Sequence, residues 1–253
     1  MGNRLNLQYK SISQEGLKFL ACLTMFLDHT GAILVAAAIR SGAGGALLRE
    51  LYTLLRTVGR IAFPVYCFLL AEGVHYTGNP RRYGIRLLIA AFLSEFPYDL
   101  ALRGGFTWQK QSVMVTLLLG FLALEGMKRC RHLLPKLIFP LPFCLLAELL
   151  RTDYGGEGVA LMALFYLTRE VPHKYLLQLI GMWFLFSPGH RMALNWLNGI
   201  HITTQEWAVL ALIPISFYSG EKLSRSKGLQ WAFYLFYPVH LAILGILKGA
   251  LYG

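Results

Sequence analysis

The sequence contains little charge, and this scarcity excludes most classes of soluble protein. Asp, Glu, Lys and Arg make up only 15% of the 253 residues, whereas about 25% is usual for a soluble domain. Hydrophobic residues make up 56%, mean hydropathy is +0.50, and apolar runs of near helix-spanning length recur along the chain. Segments such as LPFCLLAELL offer almost no polar face. We therefore expect a polytopic membrane protein.

Other features are missing as well. The four cysteines form no CxxC motif, so we expect neither a disulfide framework nor a metal site. The chain has no Ser/Gly-rich linker, no low-complexity stretch and no internal repeat, so residues 1–253 are expected to form one integral-membrane domain. Acidic residues are scarce, 13 against 24 Lys and Arg. In a membrane protein such an excess is typical of cytoplasmic loops, so nucleic acid is not an expected partner.

The apolar segments that are present predict an all-α, polytopic transmembrane helix bundle in the lipid bilayer. We predict about nine spans, within a range of roughly eight to ten. Lys and Arg accumulate in alternate loops, which places the N-terminus in the cytoplasm. The predicted spans cover residues 17–40, 54–74, 84–102, 112–127, 133–150, 157–169, 174–187, 205–219 and 229–250.

Two ionisable residues lie in the middle of the first span, LKFLACLTMFLDHTGAILVAAAI. Such a group near mid-membrane costs about 2.5–3.5 kcal/mol on insertion scales and usually faces a protein interior or a wet cavity. Asp28 and His29 therefore form either a buried pair that locks helices together or a proton acceptor in a cavity, since imidazole titrates near neutrality. Lys18 shares a helix face with His29, roughly 16 Å away along the axis.

The second and last spans also carry polar groups. Arg56 and Arg60 are four residues apart, share one face and need an anionic partner. They could pair with an acidic residue, reach the membrane interface, hold a phosphate or orient the catalytic pair. The last span, WAFYLFYPVHLAIL, places Tyr237 and His240 on one face. Aromatic stripes are usually packing, but an intramembrane histidine after a Tyr-Pro pair is less usual.

Two acidic stretches have simpler interpretations. Glu95 and Asp99 are four residues apart in the third span, a spacing that also suits a glycosidase or a proton relay. Because both lie near the end of that span, we expect them to be solvated. The stretch RTDYGGEGVALMALFY places Asp153 and Glu157 at the start of a helix, where we expect them to cap it.

The order of the motifs resembles the TraX family. The motifs are LK…MFLDHTG, R-x3-R-IAFP-x-Y-x-F-LLAEG, RLL…SEFPYDL, DYGGEGV and FY-x-FYP-x-H, and they extend from about residue 15 to 245. The namesake of that family is the inner-membrane acetylase of conjugative F-type pilin. Lys18-x10-His29 is similar to the Arg-x10-His pattern of acyltransferase-3 enzymes, with lysine in place of arginine. The wider group includes the heparan-glucosaminide acetyltransferase.

The resemblance implies a multi-pass enzyme of the bacterial cytoplasmic membrane. It would transfer acetyl from cytoplasmic acetyl-CoA, without a metal, to an amine or hydroxyl of a pilin-like peptide or cell-surface glycan. We expect His29 to act as general base, with Asp28 or a nearby polar group orienting its ring. Arg60, Tyr237 and His240 are expected to orient the acceptor or stabilise an oxyanion. The candidate cofactor-binding residues are Lys18, Arg56, Arg81, Arg82, Arg86 and Arg129.

Two other classes of function stay open at this point. In a proton-coupled transporter, Asp28 and His29 would form a relay, with Glu95 and Asp99 on the path. The absence of repeated halves argues against it, because many transporters contain them. A membrane scaffold for a conjugation machine would not need a buried His-Asp pair.

Overall fold

The computed structural model describes residues 11–42, 45–105, 107, 109–186, 204–224 and 226–252. In these ranges regular structure is helical, apart from two isolated bridge pairs, so the prediction of an all-α protein is confirmed. The helices are α1 (Gln14–Arg40), α2 (Ala46–Gly59), α3 (Ala62–Tyr76), α4 (Pro80–Arg103), α5 (Val113–Arg129), α6 (Leu133–Ile138), α7 (Leu141–Leu149), α8 (Gly155–Thr168), α9 (Lys174–Phe186), a 3-10 segment (Thr204–Ala211), α10 (Leu212–Ser216) and α11 (Lys227–Tyr252).

Three stretches of the described chain are long and apolar enough to cross a membrane. They are α1, the α2–α3 stretch Ala46–Tyr76, and Gly228–Tyr252 within α11. Helices α8 and α9 are apolar but shorter. These helices are those of a membrane protein, and the total of nine spans stays a prediction.

Three predicted spans are not continuous helices. The stretch 54–74 crosses the turn at Arg60 and Ile61, between α2 and α3. The stretch 133–150 is divided into α6 and α7 at Pro140, because proline lacks the N–H of a helix interior and instead begins a new helix. The stretch 205–219 consists of the 3-10 segment and the short α10. Residue 187, at the end of the predicted seventh span, lies outside the described residues.

Large apolar side chains cover the outside of the bundle as well as its core. Phe92 is 77% exposed and Leu149 is 71% exposed, whereas Val65 and Leu161 are fully buried. Extensive apolar patches are rare on soluble monomers, and hydrocarbon chains of a bilayer would cover them without cost. Inside, α1 packs against α2 and α3, α11 lies along α4, and α8 contacts α3, α5 and α7.

Carboxylates at the end of α4 organise the loop to α5. Asp99 is 1% exposed and accepts the Thr107 backbone N–H at 2.8 Å, and Glu95 accepts the Ser112 backbone N–H at 3.1 Å. Arg103 also approaches Asp99, at 3.8 Å. The expectation that Glu95 and Asp99 are merely solvated is therefore wrong. They satisfy backbone donors that the loop would otherwise leave without partners.

Helices α7 and α8 approach each other closely at a glycine. A Cβ atom on Gly156 would lie 2.9 Å from the Cys144 carbonyl oxygen, which is backbone and cannot move aside. The Gly156 N–H donates to Glu148 Oε1 at 2.7 Å. This contact sets the start of α8 and with it the loop that precedes α8.

We expect Gly156→Ala to lower the free energy of unfolding by about 1–3 kcal/mol, the usual cost of overpacking. Thermal unfolding of the purified protein in detergent measures the effect. Gly249→Ala is the matched control, because no atom outside the local helix backbone lies within 4 Å of its added Cβ and alanine favours a helix. A Gly156→Ala protein as stable as the control would contradict the close approach.

Candidate active site

A cavity of about 700 Å³ lies within the bundle, bounded mainly by α1, α3, α4 and α11. Lys18 lines one end, near the start of α1, and His29 lines the other. This central cavity therefore extends roughly 16 Å along α1. Met25, which lies between Lys18 and His29 on α1, also lines the cavity, as do other apolar side chains such as Leu69 and Leu87.

Positively charged side chains gather at the end of the central cavity where α1 and α11 begin. We call this group, Lys18, Arg86 and Lys222, the basic mouth. The Arg86 guanidinium lies 5.7 Å from the Tyr83 ring centroid and 5.8 Å from that of Tyr234. Its Nε atom is buried and has no hydrogen-bond partner in the part of the chain that the structure describes. Among the described residues, no member of the basic mouth forms a salt bridge, so these side chains can bind an anion.

At the opposite end, one carboxylate holds two arginines. Asp28 accepts from Arg56 at 2.7 Å and from Arg60 at 2.5 Å, which joins α1 to the α2–α3 junction. Asp28 and Arg60 are 8% and 9% exposed. Gly59 makes this approach possible, because a Cβ there would lie 2.6 Å from Asp28 Cγ and would overlap other atoms of that side chain. We call these three charged residues the Asp28 clamp.

Arg60 extends the clamp to two further segments. Its Nη1 donates to Gln205 Oε1 at 2.9 Å and to the Tyr154 hydroxyl at 3.4 Å. Tyr154 has φ 66°, a left-handed conformation that is uncommon outside glycine, and its ring stacks on Phe63 with centroids 3.7 Å apart. Since the Tyr154 hydroxyl accepts from Arg60, its own hydrogen is left to be donated. Tyr154 lines the central cavity.

His29 lies just before the π-helical segment Gly31–Val35, a type of segment that recurs at functional sites. Its Nδ1 is 2.6 Å from Nε2 of His240, whose own Nδ1 is 2.6 Å from the Phe236 carbonyl oxygen. The two imidazole planes differ by 16°. The Tyr237 ring is edge-on to His29, with centroids 5.8 Å apart. His29 lines the central cavity, and the buried His240 lies behind it.

An exposed ion pair lies beyond His29. Lys110 Nζ is 2.6 Å from Asp153 Oδ1, with side chains 43% and 28% exposed. Both residues line the central cavity and join the loop before α5 to the loop before α8. The expectation that Asp153 caps α8 is therefore wrong: the N–H of Gly156 is bound by Glu148 instead. Glu157 does lie in the first turn of α8, as expected.

The structure brings most of the predicted site residues to one cavity. Those that line it are Lys18, Asp28, His29, Arg56, Arg60, Arg86 and Tyr237. Lys18 lies over the Phe233 ring at 5.4 Å. Arg81, Arg82 and Arg129 are exposed and are not part of the cavity lining, and their contact with a nucleotide stays a prediction.

The structure decides between two predicted partners of the His29 ring and overturns one predicted role. A nearby polar group, His240, holds the His29 ring, and Asp28 does not, because two arginines engage its carboxylate. His240 has no ring nitrogen left for an oxyanion, because one faces His29 and the other faces a backbone carbonyl. His240 therefore orients the His29 ring, and Asp28 holds the two arginines.

Sequence reasoning missed Gln205 and the role of Tyr154. The signal for Tyr154 was its position before two glycines, since such a turn allows the chain to bring a side chain close to a ligand. No local pattern marks Gln205, which reaches Arg60 across 145 positions of sequence.

Comparisons with known proteins agree on one family. The model of the family described as TraX protein matches residues 13–248. The chain is 32% identical to a protein of Dichelobacter nodosus named "Probable fimbrial assembly protein FimC, serogroup H1", over 90% of this chain and 92% of that protein. No solved structure gives a significant match.

We expect Asp28→Asn to lower the free energy of unfolding by about 3–5 kcal/mol, because it leaves the buried Arg60 and the partly buried Arg56 without a charge partner. Asp153→Asn is the control, since an exposed ion pair contributes about 0–1 kcal/mol. Thermal unfolding in detergent measures both. Equal, small losses would show that the Asp28 clamp does not hold the helices together.

Proposed function

Because the chain belongs to the TraX family, we propose that it is a membrane-embedded acetyltransferase. It moves an acetyl group from cytoplasmic acetyl-CoA to an amine or hydroxyl of a pilin-like peptide or cell-surface glycan. The name of the fimbrial assembly relative favours the peptide class. The proposal places the chain in the bacterial cytoplasmic membrane, with about nine spans and the N-terminus in the cytoplasm.

One observation carries the proposal. His29 lines the same cavity as the basic mouth, and Met25, between His29 and Lys18 on α1, lines it as well. Acetyl-CoA has a matching order of parts: an anionic nucleotide, a slender arm and a thioester at its tip. In the proposed orientation the basic mouth opens to the cytoplasm, where acetyl-CoA is made.

The residues of the basic mouth fit the nucleotide end of acetyl-CoA. Arginine binds phosphate oxygens in a bidentate manner, and the unpartnered Nε of Arg86 offers a buried donor. Lys18 and Lys222 add charge without competing salt bridges among the described residues. The Tyr83 and Tyr234 rings hold Arg86 in place.

The chemistry that these residues support is direct acetyl transfer. His29 removes a proton from the acceptor as its nitrogen or oxygen attacks the thioester carbonyl. The new C–N or C–O bond forms, the C–S bond breaks, and the departing thiolate takes up the proton from His29. The acceptor would enter at the other end of the cavity, near Lys110 and Asp153.

Positive charge near His29 favours an oxyanion in the transition state. Asp28 carries one negative charge and binds two guanidinium groups, so it leaves one positive charge uncompensated. Tyr154 also has a hydroxyl hydrogen free for donation, and Arg60 holds that hydroxyl in place. Donors that are positioned before the reaction stabilise developing charge without reorganisation.

A proton-coupled transporter is less well supported. Its relay would need Asp28 to gain and lose a proton. Both carboxylate oxygens instead bind arginines, and His29 bonds to His240, so Asp28 and His29 are not linked as a relay would require.

We expect His29→Ala to reduce acetyl transfer by about 10²–10⁴-fold, the usual contribution of a general base. The measurement is transfer of radioactive acetyl from acetyl-CoA to a membrane extract of cells that lack the gene. His75→Ala is the matched control, because His75 lies at the end of α3 outside the cavity lining. Near-normal turnover by His29→Ala would end the proposal.

Binding of acetyl-CoA tests the basic mouth separately. Acetyl-CoA at micromolar concentration should raise the melting temperature of the protein in detergent. Arg86→Ala should weaken this binding about tenfold, as expected for loss of a charge-assisted hydrogen bond, and the exposed Arg49→Ala should not. The absence of any shift with the unchanged protein would favour a transporter or a scaffold.

A further inference from the structure

Two hydrogen bonds connect His29 to His240 and His240 to the Phe236 carbonyl. The geometry fixes which nitrogen donates in each of them. We propose that His240 is a positioning residue that holds His29 with its hydrogen on Nδ1, so that the Nε2 lone pair is the basic site. This inference rests on the proposed function for its catalytic meaning, but the protonation pattern itself can be tested without any activity.

The assignment of donors starts from the Phe236 carbonyl oxygen, which can only accept a hydrogen bond. The Phe236 carbonyl oxygen lies 2.6 Å from His240 Nδ1, so that nitrogen must carry the hydrogen. In a neutral ring Nε2 of His240 is then an acceptor. It lies 2.6 Å from Nδ1 of His29, which must therefore be the donor. Nε2 of His29 is left with a lone pair and no hydrogen.

The opposite assignment, in which His240 donates from Nε2 to His29, is chemically unfavourable. If His240 donated from Nε2 as a neutral ring, its Nδ1 lone pair would face the Phe236 oxygen at 2.6 Å, and two acceptors would repel each other. If His240 carried both hydrogens, its charge would be buried, because the residue is only 4% exposed. Among the residues that the structure describes, no carboxylate forms a salt bridge with either ring, since Asp28 belongs to the clamp and Asp153 pairs with Lys110.

The first bond of this chain is set within one helix. Phe236 precedes His240 by four positions in α11, so the ring bonds to the carbonyl of the preceding turn. The tautomer of His240 thus depends on local helix geometry. Only the second bond, between α1 and α11, depends on tertiary packing.

The arrangement parallels a catalytic triad with a neutral partner. In serine proteases an aspartate holds the histidine tautomer. Here a second imidazole, itself held by a carbonyl, performs that task without adding a negative charge next to apolar helices. When His29 takes up a proton at Nε2, its Nδ1–H strengthens the bond to His240 and spreads the positive charge over two rings.

Solid-state NMR of the full chain in lipid bilayers, with ¹⁵N-labelled histidine, tests the tautomer directly. The signals of His29 and His240, two of the seven histidines, are assigned by difference spectra from His29→Ala and His240→Leu. We expect the hydrogen of His29 on Nδ1, and a shift to Nε2 in His240→Leu. A hydrogen on Nε2 of His29 in the unchanged protein would overturn the inference, whether or not acetyl transfer is ever observed.

Activity provides the second test. The glutamine amide oxygen can occupy the place of His240 Nε2 and accept from His29, whereas leucine cannot. We expect His240→Leu to lower kcat by about 10²–10⁴-fold, the range for a wrongly held base, with KM for acetyl-CoA unchanged. His240→Gln should recover at least about tenfold of that loss. Equal kcat values for the two variants, at matched melting temperatures, would overturn the role of His240.

Discussion

The Asp28 clamp is the interaction on which the rest of the site depends. One carboxylate on α1 is bound by guanidinium groups from the end of α2, and Arg60 continues to the 3-10 segment and to the turn before α8. Removing one partner from such a group is costly, because the others are left charged in a poorly solvated place. The clamp therefore links segments that are distant in sequence, and its three residues line the end of the central cavity opposite the basic mouth.

The clamp also divides the chemical tasks among the polar residues. Because Asp28 is committed to two arginines, it is not available to the imidazole beside it, and His29 bonds to α11 instead. Asp28 and His29 are adjacent in sequence but have different partners. Asp28 holds the helices together, and His29 faces the cavity. The surplus positive charge of the clamp then lies beside the histidine without being neutralised by it.

The sequence allowed prediction of the helical class, the family and several of the polar residues that line the cavity, because charged groups in apolar segments must face the interior. It did not allow prediction of their pairing. Helical spacing places Asp28 and His29 next to each other, but contacts between α1, α2 and α11 decide which partner each one meets. Pro140 and the short α10 also showed that an apolar run of spanning length need not be one helix. Gln205 could not be found, since its contact crosses 145 positions without a local pattern.

The π-helical segment Gly31–Val35 affects how α1 can vary among relatives. Such a segment holds one residue more than the α-helical turn that it replaces. Loss of a single residue there would restore a regular helix and leave both flanking parts facing the same way, whereas loss of a residue from the regular part would rotate everything beyond it by roughly 100°. A difference of one residue in the length of α1 among relatives should therefore fall in this turn and not in the regular helix before it.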